Sequence, residues 1–199
     1  MVEGQPQAER RPRAEAIVER APPEAAIRLN PGSHTVLRRA AEAELTAGRV
    51  ENAQDLARRA LVLSPFDVRS LRMVGLAADK EGRTNEADQI LTLAGNWSLR
   101  DDPTHRWLIV QRLRQGNYVS AFAHADTLAR RERSQDRVFH LFTAAAQQDP
   151  RAVPVLVRLL ENQPPWEGAY FDSLYQSPEG VQLAAGLTLL LEERGTPLN

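Results

Sequence analysis

Gly48-Arg-Val-Glu-Asn-Ala53, Gly82-Arg-Thr-Asn-Glu-Ala87 and Gly116-Asn-Tyr-Val-Ser-Ala121 stand 34 residues apart, each opening on glycine and closing on alanine. Self-similarity at a fixed period of about 20 to 50 residues marks a repeat architecture, in which each unit buries its apolar face only by stacking on its neighbours. Other columns keep the same phase: Ala26, Ala60, Ala94 and Leu128; Ala57, Leu91 and Ala125; Leu37 and Leu71; Pro31 and Pro65.

Each unit reads as two helices. From Ser33 to Ala47 the apolar residues Val36, Leu37, Ala40, Ala41 and Leu45 recur at three and four. Gly48 supplies the turn, and Ala53, Leu56, Ala57, Ala60 and Leu63 form the stripe of a second helix that Pro65 ends. Glycine suits the turn because it accepts the left-handed conformation that terminates a helix. The alanine column lets paired axes approach, since a bulkier side chain would hold them apart. A polar cap followed by proline marks further helix starts at Asp102-Pro103, Asp149-Pro150 and Ser177-Pro178.

Composition agrees with this reading. The 199 residues include 28 Ala, 24 Arg against the single Lys80, and few aromatics, which favours closely packed helices over a β-sandwich. A net charge of −1 lacks the basic footprint of phosphate-backbone binding and argues against nucleic acid as a partner. No cysteine is present, so thiol nucleophiles, disulfides and Cys-bearing metal sites are excluded. Residues 1–23 read as a polar segment, partly helical or flexible, with no signal-peptide pattern as written. No run reaches the length of a membrane span. The compartment stays open: cytoplasm, or periplasm if an upstream leader or anchor was removed.

These residues resemble the tetratricopeptide repeat (TPR), a 34-residue helix-turn-helix unit, in the manner of bacterial TPR-containing proteins. The second unit matches best, through Leu71, Gly75, Gly82, Ala87, Leu91 and Ala94, and departs at Leu99, where proline is expected. The first keeps Leu37, Ala41, Gly48, Ala53, Ala60 and Pro65 but has Glu44 at an aromatic position; the third keeps Leu108, Gly116 and Ala121. The resemblance implies an all-α, right-handed helix-turn-helix solenoid. Residues 24–133 then hold a partial unit and three full ones, 134–162 a degenerate fourth helix pair, and 163–199 C-terminal capping helices. The closing Gly195-Thr-Pro-Leu-Asn199 reads like the start of a further segment of a longer protein.

The chemistry-bearing motifs are few. His34, His105, His124 and His140 include no pair at the spacing that puts two ligands on one helix face. Phosphate-cradling glycine loops and serine-nucleophile motifs are also missing from the sequence. Neither a cofactor nor a metal is expected, and the chain reads as no enzyme; a hydrolase in the C-terminal third would need a closed pocket with converging titratable groups.

The informative constellation is basic. Arg38, Arg72 and Arg106 stand 34 apart, His140 lies one period further, and Arg69 sits nearby. The resemblance places this column on the first helix of each unit, facing the concave groove, where guanidinium forks would suit an acidic extended partner. The alternative is a solvated face on which the arginines pair with Glu42, Glu44 or Asp79. Trp166, Tyr170 and Phe171 make a second candidate, either a partner patch or core beneath the cap. Trp97 and Trp107 pack a junction or form a stacking platform. The function expected is a protein-interaction scaffold binding an acidic segment; the rival is an assembly or glycan-binding module of a cell-envelope polysaccharide or secretion machinery.

Overall fold

Three helix ends 34 residues apart are built alike, and they set the architecture. In the computed structural model, which describes residues 21–131 and 134–196, Gly48, Gly82 and Gly116 adopt φ of +79°, +78° and +68°. The residue after each glycine donates its N–H five residues back, Arg49 to Glu44, Arg83 to Ala78 and Asn117 to Arg112, at 2.8–2.9 Å. This pairing satisfies carbonyls that a helix end leaves open, and it requires a residue with no Cβ penalty at positive φ. The expectation for residues 1–23 falls almost wholly outside the described residues, as do Arg133 and residues 197–199.

The described chain is all-helical and forms two compact units, one ending at Asp101 and the other starting at Asp102. The first unit holds α1 (Pro23–Leu29), α2 (His34–Thr46), α3 (Val50–Leu63), α4 (Val68–Lys80) and α5 (Thr84–Trp97). Consecutive helices pack on one another and α2 also packs on α4. The alanine columns account for the close fit: Ala53, Ala57 and Ala60 on α3, with Ala87 and Ala94 on α5, are wholly buried. Gly75 on α4 serves the same end, because a Cβ there would stand 2.7 Å from the Cγ of Leu91.

The second unit holds α6 (Asp102–Arg114), α7 (Tyr118–Ala129), α8 (Gln135–Gln148), α9 (Ala152–Leu160), α10 (Glu167–Leu174) and α11 (Pro178–Glu193). Its core changes character. Phe122, Phe139, Phe142, Trp166 and Tyr170 stack edge-on and tilted with centroids 4.9–6.1 Å apart, geometry that aromatic quadrupoles favour. Helix α10 packs on α8, and α11 packs on α8, α9 and α10. Ser177 caps α11 by accepting the Gly180 N–H at 3.1 Å. Asp149-Pro150 corrects the sequence reading: the helix starts two residues later, at Ala152. Asp149 accepts the Arg151 N–H at 2.9 Å and binds its guanidinium, so this polar residue makes a turn ahead of the helix. No helix among the described residues is long and apolar enough to cross a membrane.

Candidate interaction surfaces

The predicted basic column divides into two kinds of residue. Arg38 on α2 is mostly buried and its Nη1 lies 3.5 Å from Asp67. Arg72 on α4 is 8% exposed; one guanidinium nitrogen donates to Asp101, itself 7% exposed, and another to Glu42 at 3.0 Å. Both arginines are therefore committed to holding stacked helices together, and the expectation that Arg72 presents its charge to a ligand is corrected. A guanidinium so enclosed stays in place because leaving would strand a buried carboxylate. Arg69 and Arg106 are exposed, as is His140.

A register explains the difference. Asp67 and Asp101 stand 29 residues after Arg38 and Arg72, so the ion pairs recur with the 34-residue period. The corresponding residue after Arg106 is Gln135, which carries no charge. Arg106 is thus the member of the column whose period lacks the acid. The signal lay in the sequence, as two aspartates 34 apart, but only stacking gives a separation of 29 any meaning. Among the acids named as pairing partners, Glu42 meets Arg72, whereas Glu44 bonds Arg49 at 2.6 and 2.7 Å and Asn52 at 3.2 Å. Those bonds, from Arg49 first, hold the Glu44 carboxyl down at about 2.

The aromatic patch is corrected too. Trp166, Tyr170 and Phe171 are at most 5% exposed and belong to the core of the second unit, so they offer no surface to a partner. Trp166 Nε1–H donates to Asp126 at 2.8 Å, and burial drives the Tyr170 hydroxyl up to about 12. Trp97 is partly exposed and lies against Phe66, with ring centroids 5.5 Å apart.

One pairing escaped sequence reasoning. His105 on α6 and His124 on α7 bring their Nδ1 atoms within 3.2 Å. Nineteen residues separate them, so no single-helix spacing rule could find them. Burial, then the neighbouring His105 and Arg112, lowers the His124 imidazole to about 4; it is neutral at neutral pH. No cluster of three or more metal-ligating side chains occurs among the described residues. His140 borders a shallow depression with Asp136, Thr143, Ser173 and Ser177.

No family model and no curated protein matches the chain. Among solved structures, it is similar to YrrB, titled a TPR protein with an unusual peptide-binding site, at 13% identity and a TM-score of 0.48 over 84% of this chain and 92% of that one. It is also similar to Pseudomonas aeruginosa PilF, at 18% identity and a TM-score of 0.46 over 94% of this chain and 81% of that one. On its own helix pairs, glycine turns and buried alanine columns at a 34-residue period, the described chain folds as a repeated helix-turn-helix, the architecture that the tetratricopeptide resemblance of its sequence implies.

Proposed function

We propose that the chain is a non-enzymatic protein-interaction scaffold whose first-helix faces receive an extended acidic segment of a partner. The observation that supports this is Arg106, exposed on α6 where Gln135 has replaced the aspartate of the preceding periods. His140, one period on in the same unit, is exposed as well. Arg38 and Arg72 serve instead as the frame, neutralising the carboxylates beside them. Stacked helix pairs present long faces suited to extended segments, and exposed guanidinium groups recognise carboxylates bidentately. A labelled fifteen-residue peptide rich in Asp and Glu, titrated by fluorescence anisotropy, is expected to bind the wild-type chain and to lose roughly tenfold or more in affinity to Arg106→Glu, a change worth about 1.4 kcal/mol. Equal affinity for the variant removes these faces as the binding surface.

A further inference from the structure

In the first unit, every large apolar side chain exposed among the described residues lies at one end of the helix pairs. Leu29, Leu63 and Trp97 are the last residues of α1, α3 and α5 and stand 34 apart. Val62 is 81% and Phe66 80% exposed, and Leu99 follows Trp97 in the next loop. Leu93, one turn ahead of Trp97, completes the set. Singly exposed apolar residues are ordinary, but a contiguous group marks an interaction site. The Phe66 and Trp97 rings are in contact, and the same helix-end position is exposed in three successive second helices, so these side chains share one end of the unit.

Arginine dominates the exposed charge around it, and Arg59, one turn before Leu63, pairs with the exposed Asp55 at 3.7 Å. Asp67 and Asp101, the carboxylates of this end, turn inward to Arg38 and Arg72. Further exposed charges flanking the apolar residues are Arg28 beside Leu29, Arg58 one turn before Val62, and Arg100 beside Leu99. Helix dipoles add little, because the C-termini of α1, α3 and α5 sit beside the N-termini of α2 and α4.

We propose that this helix-end surface is a docking site for an acidic amphipathic segment of a partner protein, with aliphatic or aromatic anchors flanked by Asp or Glu. The proposal rests on the scaffold reading but uses a surface distinct from the first-helix faces. Phe66 and Trp97 are the anchors' counterparts, since large aromatic side chains carry a disproportionate share of binding energy. The arginines select the acidic flanks and speed encounter.

The test is to pan a phage-displayed library of twelve-residue peptides against the full chain and measure the winning peptides by anisotropy. Peptides carrying Leu, Phe or Trp next to Asp or Glu are expected. Their affinity should fall roughly tenfold or more with Phe66→Ser or Trp97→Ser, fall several-fold with Arg100→Glu, and hold with Arg106→Glu. Circular dichroism of each variant should match wild type, because these side chains are exposed. Affinity lost to Arg106→Glu but kept by Phe66→Ser overturns the docking site while sparing the scaffold reading; selection of no acidic peptide overturns both. A dimer in sedimentation that Phe66→Ser dissolves assigns the surface to a second copy of the chain and also overturns the proposal.

Discussion

Replacing Arg72 by leucine removes the cation between two carboxylates and keeps a side chain that fills much of the space. The larger loss falls at Asp101, whose side chain is only 7% exposed. Removing one partner of a buried ion pair costs about 3 to 5 kcal/mol. Asp101 makes a further polar interaction, which places the effect near the lower bound, about 3 kcal/mol. Glu42, 41% exposed at its side chain, turns to solvent and adds less than about 1 kcal/mol. For a unit of this size the melting temperature should drop by on the order of 12 °C, read by circular dichroism at 222 nm. The double variant Arg72→Leu/Asp101→Leu removes the stranded charge and should recover most of the loss. A single variant that melts within about 2 °C of wild type, or a double variant no more stable than the single, would mean that Arg72 does not neutralise a buried charge. Unchanged melting together with weakened peptide binding would return Arg72 to the ligand surface.

Helix α11 offers a test by sign. A Cβ on Gly180 would stand 2.1 Å from the Leu174 carbonyl oxygen, whereas one on Gly186 meets nothing within 4 Å; urea unfolding should show Gly180→Ala destabilising by about 3 kcal/mol and Gly186→Ala stabilising by about 0.5 to 1 kcal/mol. His124, lowered to about 4 in the folded chain, titrates near 6.5 when unfolded, so the folded state binds fewer protons between those values. Stability is therefore full above pH 6.5 and declines as pH falls toward 4, by about 2 kcal/mol after discounting for a half-buried ring. Urea midpoints taken at pH 7.5, 6.5, 5.5 and 4.5 should fall more steeply for wild type than for His124→Gln; parallel curves contradict the assignment. Trp166→Ala should cost about 3 to 5 kcal/mol in chemical denaturation, and a loss below about 1 kcal/mol would mean that the ring is not a core element.

What the sequence determined by itself is whatever local chemistry controls. Glycine at positions 48, 82 and 116 ends a helix because a positive φ and a bond to the residue five back involve only six consecutive residues. The alanine and leucine columns follow from the helical repeat, so the pairs, their period and the all-α class were legible. The placement of α9 was less so, since Asp149 spends its carboxylate on Arg151 in a turn that a capping rule does not distinguish from a helix start. Stacking decided the rest. Arg38, Arg72 and Arg106 look equivalent in a column, yet two are enclosed by aspartates 29 residues away and the third is not. Trp166 and Tyr170 lie on an amphipathic stretch that reads first as core and second as a partner patch, and only the closure of α8 against it decides for core. The His105–His124 contact and the apolar helix ends exist only where separate turns of the chain meet. A side chain's charge and size are written in the sequence, but its exposure is set by neighbours that sequence distance does not measure.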